Sequence, residues 1–177
     1  SASSRMTAAG MPVMAAALLI KDVCTIENCP RISDVHHMLA LLTGIGCRVS
    51  HRGHTLTIDA RNISEDTMSG ENVTGMRSSI TLLGAMLGRV GEVTMAYPGG
   101  CVIGERPIDM HLHALRRMGV AIYEKENCFT AKAKSLEGTV INLPFSSVGV
   151  TENILLAAVM AKGVTVLQNA AKEPEIV

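Results

Sequence analysis

Residues Pro98 to Pro107 read Pro-Gly-Gly-Cys-Val-Ile-Gly-Glu-Arg-Pro. This stretch sets the Cys101 thiol and the Arg106 guanidinium among Gly99, Gly100 and Gly104. Glycine lets the backbone approach a ligand closely, and a nearby fixed positive charge eases ionisation of a thiol and attracts anions. A thiol on a glycine-flanked loop can act as a nucleophile or as a general acid toward a carbon centre. The same residues would also accommodate an incidental loop cysteine.

Three further constellations could hold an anion. In Arg106-Pro107-Ile108-Asp109, Pro107 suits the first turn of a helix and Asp109 places negative charge near its N-terminus. Asp109 either complements the helix dipole or accepts hydrogen bonds from a base or sugar, while Arg106 is placed to grip phosphate or carboxylate. Gly75-Met76-Arg77-Ser78-Ser79 puts Arg77 at the start of an apolar helix, where backbone amides and side chain could share an anion or the arginine could simply be solvated. Phe145-Ser146-Ser147-Val148-Gly149 leads into another helix and reads either as an anion cradle or as plain capping across Ser147 to Thr151.

The histidines are His36, His37, His51, His54, His111 and His113. None forms an i, i+4 pair beside a carboxylate, so no zinc site is expected and all six are predicted at the surface.

The elements that position these residues can be read from the rest of the chain. With 177 residues, 47% of them apolar, it can build one compact domain or two small sub-domains. Sixteen basic and sixteen acidic residues cancel, which argues against nucleic-acid binding by bulk charge. Two Phe, two Tyr and no Trp leave little for base-stacking platforms. Eleven methionines are expected to fill the core beside Ala, Val, Ile and Leu. Five cysteines without a CxxC spacing fit a reducing cytosol better than a disulfide framework, and Cys24, Cys29 and Cys47 sit among apolar residues as buried thiols do. The apolar run Met11 to Ile20 is too short to span a bilayer. Residues 1–8 read as a frayed N-terminal segment.

The chain repeats itself. Ala16 to Val35 and Ala157 to Ile176 share an alanine pair, a lysine (Lys21 or Lys162) and an alternating strand ending in Asn28 or Asn169. Val35 to Ala60 and Ile108 to Ala131 share helical apolar spacing, a stop at Gly46 or Gly119, and two extended runs around a polar turn. The unit is helix, strand, helix, strand, strand. Copies fall at about residues 9–60 and 76–133, and a third begins near Val148 and is expected to be incomplete at Val177. The second copy has Ser79 to Arg89 as its first helix, Glu92 to Ala96 as its strand and Asp109 to Met118 as its second helix. Val13 to Leu19 and Ile80 to Leu87 are apolar nearly all round, which predicts buried helices inside and sheets outside, around a pseudo-threefold axis. The expected class is α/β, one domain over residues 9–177.

Pro98 to Asp109 closely resembles the active-site loop of the UDP-N-acetylglucosamine 1-carboxyvinyltransferases, enolpyruvyl transferases whose relatives acting on shikimate 3-phosphate share the fold but lack this cysteine loop. Met76-Arg77-Ser78-Ser79, Ser147-Val148-Gly149-Val150-Thr151-Glu152-Asn153 and Asn169 to Ile176 resemble three further motifs of that family, in the same order. The resemblance implies an inside-out α/β barrel built of βαβαββ-like repeats, with a second, similar domain absent from this chain. It implies transfer of the enolpyruvyl group of phosphoenolpyruvate to the 3-hydroxyl of UDP-N-acetylglucosamine, without metal or cofactor. Cys101 would be the general acid at the methylene carbon, the site of a covalent adduct with phosphoenolpyruvate and the target of fosfomycin. Arg106 and Arg77 would neutralise substrate charge, Arg106, Pro107, Ile108, Asp109 and Met110 would line the uridine pocket, and Phe145, Ser146, Ser147, Val148 and Gly149 would meet the UDP portion. The family's Lys-Asn pair before the first helix corresponds here to Thr7 and Ala8, with Arg5 a substitute only in a shifted register. The alternative is therefore a non-catalytic UDP-sugar-binding homologue that has lost the phosphoenolpyruvate lysine.

Overall fold

The computed structural model describes residues 10–63, 67–68 (backbone only), 80–97, 108–126, 128–173 and 176. Cys101, Arg106, Pro107, Arg77 and the Thr7-Ala8 pair lie outside the described residues.

The elements recur in a fixed order. Helix α1 covers residues 10–16 and tightens into a 3₁₀ turn at Ala17–Leu19. It is followed by β1 (Val23–Ile26), α2 (Ser33–Gly44), β2 (Arg48–Arg52) and β3 (Thr55–Asp59). These strands form an antiparallel sheet in the order β1-β3-β2. The second set is β4 (Thr67–Met68), α3 (Leu82–Val90), β5 (Glu92–Ala96), α4 (Asp109–Arg117), β6 (Ala121–Glu124) and β7 (Cys128–Lys132). Its order is β4-β5-β7-β6, so β5, β7 and β6 repeat the arrangement of β1, β3 and β2. The third set is β8 (Val140–Asn142), α5 (Val148–Ala158) and β9 (Val166–Gln168).

Strands β4 and β8 are missing from the helix, strand, helix, strand, strand unit read from the residues, but they supply the leading strand of the βαβαββ repeat that the resemblance implies. Each lies before a helix and pairs in parallel with the strand after it, β4 with β5 and β8 with β9. Parallel neighbours need a crossover, which α3 and α5 supply.

Two of the pairs that match between copies stand where the backbone demands a particular residue type. Gly46 and Gly119 stand just past α2 and α4 with φ of 96° and 88°, a left-handed conformation that costs glycine nothing. Asn28 and Asn169, after β1 and β9, both have φ 57°, and Asn is one of the few side chains that tolerate it.

The core is helical. Every residue of α3 from Leu82 to Leu87 is buried, as an all-round apolar helix requires. Five methionines (Met14, Met38, Met86, Met95 and Met118) are fully buried, so methionine is core filler here. Strands β3 and β7 alternate, turning Leu56 and Ile58, or Phe129 and Ala131, inward. Helices α3 and α5 approach so closely at Gly84 that a Cβ there would lie 2.2 Å from the backbone oxygen of Asn153. Arg89, in the last turn of α3, donates through Nη2 to the Ala60 carbonyl at 2.9 Å and ties the second set to the first.

Candidate functional site

Two helix N-termini carry the described candidate residues. At α4, Ile108 and Met110 are half-buried and Asp109, the first helical residue, is exposed. Among the described residues no side chain caps this end. At α5, Phe145 is 63% exposed, Ser146 is exposed, and Ser147, Val148 and Gly149 are half-buried.

Of the two readings of this segment, anion cradle or plain capping, the Ser147 side chain does not supply the capping. Ser147 occupies the N-cap position in an extended conformation, but its hydroxyl makes no cap hydrogen bond. Thr151 instead donates through Oγ1 to the Ser147 carbonyl at 2.8 Å and accepts the Ala171 N–H at 3.0 Å. Thr151 is 1% exposed, so both roles of its hydroxyl are filled inside the protein. The first turn of α5 contains no acidic residue. Its amides and the positive end of its dipole are thus left to favour an anion.

Beside this end lies an open cleft of about 650 Å³, lined by Pro144, Phe145, Ser146, Asn169, Ala170, Lys172 and Glu173. Two segments distant in sequence, Phe145-Ser146 and the stretch from Asn169, therefore share one surface. Asn169 fixes the far wall by donating through Nδ2 to the Leu143 carbonyl at 2.9 Å and to Asn142 Oδ1 at 3.2 Å. Lys172, not singled out from sequence, supplies a cation to this cleft.

His111 overturns the expectation of surface histidines. It is 9% exposed, and Asn153, which meets it from α5, is 0% exposed. Asn153 Oδ1 accepts the Gly84 N–H at 2.7 Å, and its Nδ2 lies 2.9 Å from His111 Nδ1. The signal was in the spacing: His111, Ala114, Leu115 and Met118 lie at i, i+3, i+4 and i+7 and are all buried, which puts the histidine on the apolar stripe. In α2 the stripe runs through Val35, Met38 and Leu42, which leaves His36 and His37 exposed as expected.

Burial lowers the pKa of His111 from 6.5 to about 4. The folded value lies below the unfolded one, so between these pH values the unfolded chain binds the extra proton and acid favours unfolding. Stability is therefore expected to fall as pH drops from 6.5 toward 4, by on the order of 3 kcal/mol from this residue. Urea unfolding at a series of pH values checks this, and the component should be missing in His111→Asn.

Of the other thiols, burial pushes Cys47 up to about 11, and burial also raises Cys29. Both are suppressed as nucleophiles. Cys24, expected among the buried thiols, is half-buried, as is Cys128. Among the described residues no group of three or more His, Cys, Asp or Glu could hold a metal ion, and no helix is long and apolar enough to cross a membrane.

Three strand–helix sets around a helical core, with an open cleft beside the N-terminus of α5, define an α/β domain of the enolpyruvyl transferase type. The solved enolpyruvyl transferase NikO from Streptomyces tendae superposes with a TM-score of 0.83 at 21% identity, over 96% of this chain and 40% of that one. An EPSP synthase from Acinetobacter baumannii gives 0.70 at 18% identity, over 95% of this chain and 40% of that one. The chain belongs to the EPSP synthase (3-phosphoshikimate 1-carboxyvinyltransferase) family, whose model matches residues 2–177. Among its curated relatives, UDP-N-acetylglucosamine 1-carboxyvinyltransferase 2 of Caldanaerobacter subterraneus subsp. tengcongensis is 45% identical over 166 residues, 94% of this chain. UDP-N-acetylglucosamine 1-carboxyvinyltransferase 1 of Symbiobacterium thermophilum is 45% identical over 175 residues, 96% of this chain. The chain spans about 40% of the length of each of these two relatives.

Proposed function

We propose that this chain is part of an enzyme that transfers the enolpyruvyl group of phosphoenolpyruvate to the 3-hydroxyl of UDP-N-acetylglucosamine and releases phosphate. This is the first committed step of peptidoglycan synthesis, and the protein would work in the cytoplasm. The observation that carries the reading is 45% identity over nearly the whole chain to relatives of that name. The relatives' greater length supports a second domain, outside this chain, that closes the site.

In this reading the sugar 3-hydroxyl oxygen bonds to C2 of phosphoenolpyruvate and loses its proton to a base on the second domain. The Cys101 thiol delivers a proton to the C3 methylene, giving a tetrahedral adduct. The C2–O bond to phosphate then breaks, C3 returns a proton, and the enol ether is left on the sugar. Arg106 and Arg77 offset the phosphate and carboxylate charge during these steps. Pro107, Ile108, Asp109 and Met110 hold the uridine at α4. Phe145 to Gly149 hold the diphosphate at α5, where the amides and dipole favour negative charge.

In the whole gene product, fosfomycin is expected to add covalently to Cys101 when UDP-N-acetylglucosamine is present, as read by intact mass and peptide mapping. Cys47 and Cys29, with thiol pKa values raised by burial, should stay unmodified under the same conditions. No adduct on Cys101 would count against the assignment. Thr7 and Ala8, at the place of the family's Lys-Asn pair, favour a second reading as a UDP-sugar-binding homologue without turnover. Sugar-nucleotide binding without phosphate release would select it.

A further inference from the structure

We propose that His111 is a positioning residue for the sugar nucleotide, acting with Asn153 and the Gly84 amide as a buried polar node that holds the N-termini of α4 and α5 in one arrangement. The inference rests on the proposed role of Ile108–Met110 and Phe145–Gly149 in holding UDP-N-acetylglucosamine.

The proton positions follow from the atoms present. A backbone N–H can only donate, so the Asn153 atom 2.7 Å from the Gly84 nitrogen is the carbonyl oxygen, Oδ1. The other Asn153 atom is then the NH₂ group, a donor, so His111 Nδ1 at 2.9 Å must accept. His111 is therefore neutral, with its proton on Nε2. A pKa lowered to about 4 by burial agrees with that state.

Each partner comes from a different helix. Gly84 lies on α3, His111 on α4 and Asn153 on α5. The α3 amide reaches Asn153 only because Gly84 has no side chain: a Cβ there would stand 2.6 Å from Oδ1. The free edge of the imidazole meets the first turn of α5, with His111 Cε1 3.7 Å and Nε2 3.9 Å from where a Gly149 Cβ would be. His111 also directly follows Met110 in the chain. One ring thus touches one candidate nucleotide segment and continues the other. Thr151 fastens the same turn of α5 to Ala171, next to the cleft.

A buried polar trio in a largely apolar helical core is a poor source of stability, because apolar residues of similar volume avoid its desolvation cost. Its contribution is directional: hydrogen bonds set the rotation and offset of three helices that apolar contacts would leave less defined. Hydrogen bonds from a binding segment weaken steeply as their distances and angles are displaced.

The test uses the whole gene product, with UDP-N-acetylglucosamine affinity read by calorimetry and both KM values and kcat by steady-state kinetics. H111L is expected to weaken UDP-N-acetylglucosamine by about tenfold or more, with KM for phosphoenolpyruvate and kcat within about threefold of wild type. H111N, whose Oδ1 replaces Nδ1 as acceptor for Asn153, should recover affinity to within about threefold, whereas H111Q, with its acceptor one atom farther out, should not. If H111L does not fold, the contrast between H111N and H111Q decides. UDP-N-acetylglucosamine affinity within about twofold of wild type in folded H111L or H111Q, or equal losses for both substrates and kcat, would overturn the inference while leaving the proposed function intact. Failure of the wild type to bind UDP-N-acetylglucosamine would overturn both.

Discussion

Cys101→Ala is expected to lower turnover by about 10²- to 10⁴-fold, the range for loss of a positioned general acid, and to abolish fosfomycin adduct formation. Alanine removes the proposed proton donor to C3 and leaves the neighbouring glycines and Arg106 of the sequence unchanged. The residues proposed to hold UDP-N-acetylglucosamine sit at α4 and α5, so its KM should change far less than kcat. A fall in kcat and kcat/KM together would mark a group that acts in the transition state. A variant with near-normal turnover would remove Cys101 from the chemistry and leave it an incidental loop thiol. Steady-state kinetics beside intact-mass measurement distinguish these outcomes.

Gly84→Ala is the second large effect and acts on stability. The added methyl would meet the Asn153 backbone oxygen at 2.2 Å and the Ala157 nitrogen at 3.2 Å. These are backbone atoms of α5, so no side-chain rotation relieves the clash and one helix must move. Overpacking of this kind costs about 3 kcal/mol or more, equivalent to a fall in melting temperature of about 6–12 °C for a chain of this size. The Gly84–Asn153 hydrogen bond would lengthen too, carrying the loss into the His111 node. Gly149→Ala is the matched control, because its Cβ would meet His111 at 3.7 Å, an ordinary van der Waals distance. In a helix that change should be neutral or stabilising by up to about 1 kcal/mol. Thermal unfolding of both variants checks the pair; equal melting temperatures would contradict the close α3–α5 contact.

How much of this was legible in the sequence depended on whether a residue's role is local. Strand β5 was read with its observed limits, Glu92–Ala96, and α4 to within one residue, because alternation, helical periodicity and the stop at Gly119 are written in neighbouring residues. The matching pairs Gly46 with Gly119 and Asn28 with Asn169 were visible because a left-handed backbone restricts residue choice. Strands β4 and β8 were not, since two or three residues carry too little pattern and their pairing is set by distant partners. His111 was misplaced because its residue type suggested solvent while its spacing placed it on a buried stripe. Asn153 lay inside a motif already noted, but its bond to Gly84, 69 residues away in sequence, is a property of the fold. The meeting of Phe145-Ser146 with Asn169 and Lys172 in one cleft likewise required the β8–β9 pairing.

The proposed acceptor is UDP-N-acetylglucosamine, and phosphate release reports on it. With the whole gene product and phosphoenolpyruvate, release of inorganic phosphate is expected to depend on UDP-N-acetylglucosamine, to yield the enolpyruvyl ether of that sugar, and not to occur with shikimate 3-phosphate. Release with shikimate 3-phosphate instead, or none with either acceptor, would contradict it.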